Sequence, residues 1–304
     1  MTSPGSPLPR GLSAFPLTPL HDDALDTGAY AGLVARLAAA GVDSITALGS
    51  TGSYAYLSRP ERALATRVAV EHAGDVPVLV GVGALRTRHV LELVEDAQEA
   101  GAAGVLLAPM TYQPLTPDDV VGLYEDVTAH LSVPLVVYDN PGTTRFAFTD
   151  ELYGAVAALP HVASVKIPAL PAQAEQARER VAAIRRHLPA HVSLGISGDA
   201  GAAAGLLAGC DLWYSVVGGT LPGLALALTR AAVTGDGAEA LAEQVRLAPL
   251  WELFARFGSL RTTAVVAEEL GLAQRSCLPL PLRGLDDAAR AEVAAVLDRL
   301  DLRA

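Results

Sequence analysis

Lys166 is the one lysine in a chain that otherwise uses arginine; Lys and Arg together number 22. The Ala- and Arg-rich composition indicates a chain that disfavours lysine throughout, which makes the one retained informative. Arginine supplies the same charge, but its guanidinium stays protonated and cannot attack as an amine. A position that keeps lysine therefore points to amine chemistry. Val165 and Ile167 flank Lys166 within an apolar run. Desolvation there lowers the pKa from ~10.4 and raises the fraction of free amine able to attack a ketone. The competing expectation is a buried ion pair, although no Asp or Glu lies close to Lys166 in sequence.

Tyr138 ends the preceding apolar run and is followed by Asp139-Asn140-Pro141. A phenol at the height of the amine can donate to a carbinolamine oxygen and then shuttle the proton. The plainer role for Tyr138 is a core aromatic with its hydroxyl at the rim. Gly49-Ser50-Thr51-Gly52 offers two hydroxyls and a turn whose backbone N–H groups suit a carboxylate or phosphate; it also reads as a simple turn. Lys166, Tyr138 and Ser50 are thus the candidate catalytic residues. Gly49, Thr51, Thr111, Tyr112, Asp199 and Ser215 are the candidate substrate-binding residues. His21, His72, His89, His130, His161, His187 and His191 show no metal-ligand spacing, so neither a metal nor an organic cofactor is expected.

These side chains need a scaffold that brings them to one place. Short apolar runs read as strands: Leu12–Phe15, Asp43–Leu48, Val76–Val82, Gly104–Ala108, Pro134–Tyr138, Ala163–Ile167, Val192–Ile196 and Leu212–Val217. Most are continuously apolar, as parallel strands buried on both faces require. Amphipathic stretches alternate with them; Val90, Leu93, Val94 and Ala97 share one helical face. Ser58-Arg59-Pro60-Glu61 predicts a capped helix start, and Thr116-Pro117-Asp118-Asp119 another.

Eight such pairs predict an α/β fold, a closed (β/α)₈ TIM barrel over residues 1–225, whose active site lies at the C-terminal ends of the strands. Residues 226–304 predict a C-terminal helical extension packed on the barrel, its last face formed by Ala289, Val293, Val296, Leu297 and Leu300. A doubly wound open sheet would carry a Gly-rich loop after its first strand. Here that strand runs into Pro16-Leu17-Thr18-Pro19.

Composition narrows the function classes. With 304 residues, 51% hydrophobic and 18% charged, disorder is not expected. A net charge of −11 argues against nucleic acid and anionic membranes as partners. No apolar run approaches the roughly 20 residues of a membrane span, and the polar, Pro-rich Met1–Arg10 lacks a signal-peptide core. Cys210 and Cys277 suggest two reduced, buried thiols. A cytoplasmic enzyme is expected.

In their order along the chain these motifs resemble the dihydrodipicolinate synthase / N-acetylneuraminate lyase family. The likeness runs from Phe15-Pro16-Leu17-Thr18-Pro19 to Pro279-Leu280-Pro281-Leu282. It implies that Lys166 is the Schiff-base residue and Tyr138 the acid/base. It also implies that Thr51 binds the carboxylate, Ser50 relays protons and the assembly is a homo-oligomer, a dimer or a tetramer. Departures are present. Ser53 stands where the turn usually has Glu. Thr111 takes the place of a relay tyrosine contributed across the dimer, with Tyr112 beside it. Thr143 replaces the synthases' aldehyde-gripping arginine, Arg145 lying two residues on, and Asp199-Ala200 replaces the lyases' Asp-Glu pair.

The expected function is therefore a Schiff-base lyase or aldolase acting on pyruvate or a longer 2-oxo acid, with an aldehyde as its possible partner. Dehydration of a 2-oxo sugar acid, dihydrodipicolinate synthase activity proper and a catalytically silent ligand-binding role are the alternatives. A phosphate-binding isomerase would place its phosphate loop after strands 7 and 8, where Ser197-Gly198-Asp199 is not phosphate-specific.

Overall fold

The apolar runs form eight parallel strands that close on themselves. They are β1 (Gly11–Ala14), β2 (Ser44–Ala47), β3 (Val78–Gly81), β4 (Gly104–Leu107), β5 (Leu135–Tyr138), β6 (Val162–Ile167), β7 (Ser193–Ile196) and β8 (Leu212–Ser215). β1 pairs with both β2 and β8, which completes the barrel. The computed structural model describes Leu8 and residues 10–303. Within the polar N-terminus, residues 1–7 and 9 lie outside the described residues. Nearly every strand residue is buried, because side chains fill the barrel on one face and meet helices on the other.

Helices follow the strands as the periodicity predicts. In Thr87–Glu99 the buried residues are Val90, Leu93, Val94 and Ala97. Helix Arg59–His72 starts at the expected capping box, where Glu61 accepts from the Ser58 backbone N–H at 2.7 Å. Thr116 and Asp119 close the same motif at Pro117–Thr128. The expected division after residue 225 needs correction. It falls inside helix Pro222–Thr234, whose Leu224, Ala225 and Leu228 are buried and which packs on β1. This is the barrel's eighth helix, so the extension begins near Gly237.

The extension comprises helices Gly237–Arg246, Ala248–Phe257, Ser259–Glu269 and Asp287–Arg299. Its final helix buries Ala289, Val293, Val296 and Leu297, the face read from the spacing. Leu17 and Leu33 pack with Ala264, Ala267, Cys277 and Leu278, joining the segment after β1 to the extension. Gln244 fixes the other side: its Nε2 donates to the Asp199 carbonyl at 3.2 Å, and its Oε1 accepts from Ala203 N at 3.1 Å. The extension is thereby held against the C-terminal end of β7. Both cysteines are buried free thiols. Among the described residues no helix is long and apolar enough to cross a membrane.

Candidate active site

The β5–β6 pairing sets the geometry of the centre. Tyr138 pairs directly with Lys166, as their positions at the ends of neighbouring runs predict. Between Leu135 and Val136 the register shifts, and β6 carries one extra residue, Ala163. Such a bulge re-aims the residues beyond it.

Lys166 is 3% exposed. Its Nζ lies 3.9 Å from the ring centroids of both Phe15 and Tyr138, and 5.6 Å from that of Tyr214. Aromatic faces attract a cation, yet they replace water poorly. Desolvation therefore lowers the amine to about 7, and the negative charge of Asp199 opposes that shift. Asp199 acts at a distance. The close ion pair that the sequence left open does not form among the described residues.

Asp199 is buried at the cavity wall, but its carboxylate is already engaged. Oδ1 accepts from Trp213 Nε1 at 3.0 Å and Val216 N at 3.2 Å, while Oδ2 accepts from Val217 N at 2.8 Å. Burial pushes it up to about 6, while these donors and Lys166 hold it down. It anchors the turn after β8 to the loop after β7 while still lining the cavity. Ser215 needs correction as a substrate ligand: it is fully buried, and its Oγ accepts from Gly218 N at 2.8 Å, closing the same turn away from the cavity. Gly49 acts by close packing, since a Cβ there would sit 2.5 Å from the Phe15 ring. Phe15 is thereby set over Lys166. Thr111 lines the cavity, whereas Tyr112 is 87% exposed and lies outside it.

The Gly49–Gly52 turn brings Ser50 and Thr51 into the cavity lining. Burial raises the Tyr138 phenol well above its ordinary value, and the neighbouring Ser50 hydroxyl eases that shift. The phenol therefore stays protonated and available as a donor. Ser50 Oγ accepts from Asn140 Nδ2 at 3.2 Å, so the polar line runs Tyr138–Ser50–Asn140. Leu48 and Ser53 hold left-handed backbone at φ 55° and 53°. Leu48 O presses so close to Gly81 that a Cβ there would lie 1.9 Å away. Ser53, in the position where the resemblance leads one to expect Glu, is buried in this strained turn. Behind it, Arg62 donates to Gly81 O at 2.7 Å and Gly83 O at 2.9 Å and lies over the Tyr54 ring at 5.3 Å.

Above Lys166 opens a cavity of about 770 Å³. Its floor is Lys166, Tyr138, Ser50 and Thr51. Its far wall comes from the extension: Trp251, Phe254, Ala255 and Leu260. Thr143 lines the cavity, but Arg145 is exposed and does not. The sequence reading missed Phe15, Tyr54, Asn140 and the extension wall. Phe15 and Asn140 adjoin recognised motifs, which is the only signal they carried; Trp251 and Phe254 carried none. No cluster of three or more His, Cys, Asp or Glu suited to a metal ion occurs among the described residues.

Comparison with known proteins agrees with this architecture. The model of the Dihydrodipicolinate synthetase family matches residues 8–300. A crystal structure of dihydrodipicolinate synthase from Agrobacterium tumefaciens superposes with a TM-score of 0.92 at 42% identity, covering 96% of this chain and 98% of that one. A 4-hydroxy-tetrahydrodipicolinate synthase of Phenylobacterium zucineum is 29% identical over 96% of this chain and 97% of its own. A DapA-like lyase of Halobacterium salinarum is 32% identical over 99% and 98%. The chain belongs to the dihydrodipicolinate synthetase family and is, with that family, a class I lyase or aldolase.

Proposed function

We propose that Lys166 forms an imine with pyruvate, or with the 2-oxo end of a longer acid, and that Tyr138 and Ser50 move the protons. The Thr51 hydroxyl and the N–H groups of its turn hold the carboxylate, which directs the keto carbon at Nζ. The neutral amine adds to that carbon, and Tyr138 protonates the carbinolamine oxygen, which leaves as water. The protonated imine withdraws electrons from the neighbouring carbon, whose C–H proton departs to give an enamine. The enamine then adds to an aldehyde, or in reverse releases one. One observation carries this reading: a desolvated, unpaired lysine held in register with a protonated tyrosine at the floor of a cavity.

Expulsion of a hydroxyl from the same imine is the nearest variant, because it needs the same electron sink. Dihydrodipicolinate synthase activity proper is less supported, since Thr143 lacks a guanidinium. The reading includes a homo-oligomer, dimer or tetramer, with exposed Tyr112 among the side chains a partner subunit would cover. It also keeps the enzyme in the cytoplasm, where Cys210 and Cys277 stay reduced.

The deciding experiment is reduction in the presence of pyruvate. Borohydride should convert the imine to a stable adduct on the peptide containing Lys166, read as a mass increase. Absence of an adduct with pyruvate and with longer 2-oxo acids would overturn the proposal and leave a silent, ligand-binding protein.

A further inference from the structure

The cavity is far larger than pyruvate, so its upper part must seat the remainder of a longer substrate. Its charge distribution is lopsided. Among the described residues Lys166 is the only cationic side chain lining it, while Asp139 and Asp199 both contribute carboxylates. Asp139 is buried, and burial raises its carboxyl above the usual range. An added carboxylate on the substrate would thus find no counter-charge. Thr143 offers at most a hydroxyl, and Arg145 is turned to solvent at the left-handed end of the turn Pro141–Thr144.

The extension's share of the lining is mostly apolar: Trp251, Phe254, Ala255, Leu260 and Leu282 beside Ser259, with Met110 from the loop after β4. These groups are fixed. Trp251 Nε1 donates to Gln244 O at 3.1 Å, and the Trp251 and Phe254 rings meet edge to face at 5.7 Å. Gln244 also holds the β7 loop, so the wall keeps a set distance from the amine. Such a surface rewards burial of hydrocarbon and penalises an unpaired charge.

We infer that the aldehyde partner, or the corresponding tail of a longer 2-oxo acid, is uncharged and hydrophobic, an aryl or alkyl group seated against Trp251, Phe254 and Leu260. This rests on the imine chemistry proposed above. In the synthetic direction, C3 of the pyruvate enamine attacks the aldehyde carbon, forming one C–C bond. The carbonyl oxygen takes up a proton to become the 4-hydroxyl. Water then hydrolyses the imine, returning Lys166 and a 4-hydroxy-2-oxo acid. No oxidant or reductant enters.

The test is a competition. The full-length protein is incubated with equimolar 4-phenyl-2-oxobutanoate and 2-oxoglutarate, reduced with borohydride and digested, and the two adducts on the Lys166 peptide are weighed by mass. Pyruvate alone serves as a parallel sample. The phenyl adduct should exceed the 2-oxoglutarate adduct at least tenfold. Phe254→Arg should shift that ratio toward 2-oxoglutarate by about tenfold or more, and Ser259→Arg, at the same rim, is the substitute should that variant fail to fold. Val245→Arg places the same charge on an exposed part of the extension and should leave the ratio unchanged. Equal adducts, or an excess of 2-oxoglutarate, with pyruvate still trapped, overturn the inference while imine formation stands. No adduct with any of the three acids overturns both.

Discussion

The two walls of the cavity above Lys166 differ in origin and in chemistry. The floor is barrel: Lys166 and Tyr138 sit on paired strands, with Ser50 and Thr51 on the turn after β2. The far wall is the helical extension, and it is mostly apolar. Floor positions are set by strand register, which backbone hydrogen bonding holds to within fractions of an ångström. The wall depends on how one helical unit docks on another. Under the reading proposed above, reaction type and substrate choice reside in separable parts of this chain: the floor holds the reacting atoms, and the wall decides what reaches them.

That division can be broken experimentally, most severely at the floor. Lys166→Arg keeps the positive charge and removes the nucleophilic amine. Turnover should fall by roughly 10⁴-fold or more, with circular dichroism unchanged. Retained activity would remove the floor's assigned role. Tyr138→Phe deletes only the donated proton and should lower kcat by about 10²- to 10⁴-fold, with the pyruvate adduct still trapped, though more slowly.

Acidity offers a milder probe of the same wall. Desolvation lowers the Lys166 amine to about 7, and the proposed mechanism uses its neutral form as the nucleophile. The initial rate of imine formation should thus rise with pH, falling about tenfold for each unit below that value and levelling above it. A profile flat between pH 5 and 8 would show that the amine is not desolvated as the rings around it imply. At the wall, Trp251→Ala should lower kcat/KM for an apolar partner by about tenfold, the scale of losing a well-filled hydrophobic contact. An equal loss for pyruvate trapping would mean the two walls are not separable. The smallest effect is expected at Ser215→Ala, which removes one turn-closing hydrogen bond. Stability should drop by about 1 kcal/mol in urea denaturation, with kcat within about twofold of the parent enzyme.

Much of the floor was legible before any coordinates. Continuous apolar runs at regular spacing specify a parallel barrel, and a barrel specifies where strand ends converge. Lys166 and Tyr138 were therefore assigned together, and their register agrees. Other readings failed for identifiable reasons. Ser215 ends β8 as Lys166 nears the end of β6, and a strand-end hydroxyl looks available until the turn that captures it is seen; the Gly218-Gly219 pair downstream was its one signal. Asp199 was read as a candidate ligand from its place after strand 7; the three donors that also occupy it come from β8 and its turn, a capture no local motif announces. The boundary at 225 failed because the eighth barrel helix and the extension are both helical, with no change of period between them. The apolar wall was invisible for a deeper reason. Trp251 and Phe254 lie 85 and 88 residues from Lys166 and read as ordinary core positions; only the docking of helix Ala248–Phe257 turns them to the cavity.

The solitary lysine has a practical consequence for labelling. A sequence with no other ε-amine offers acylating and aldehyde reagents a single side-chain amine, Lys166. That amine lies beneath the cavity assigned above to a 2-oxo acid. A slim, apolar amine-reactive dye should therefore report occupancy directly: a label on the Lys166 peptide of the empty enzyme, withheld from the loaded one. The same scarcity that marked this residue makes the protein its own site-selective probe.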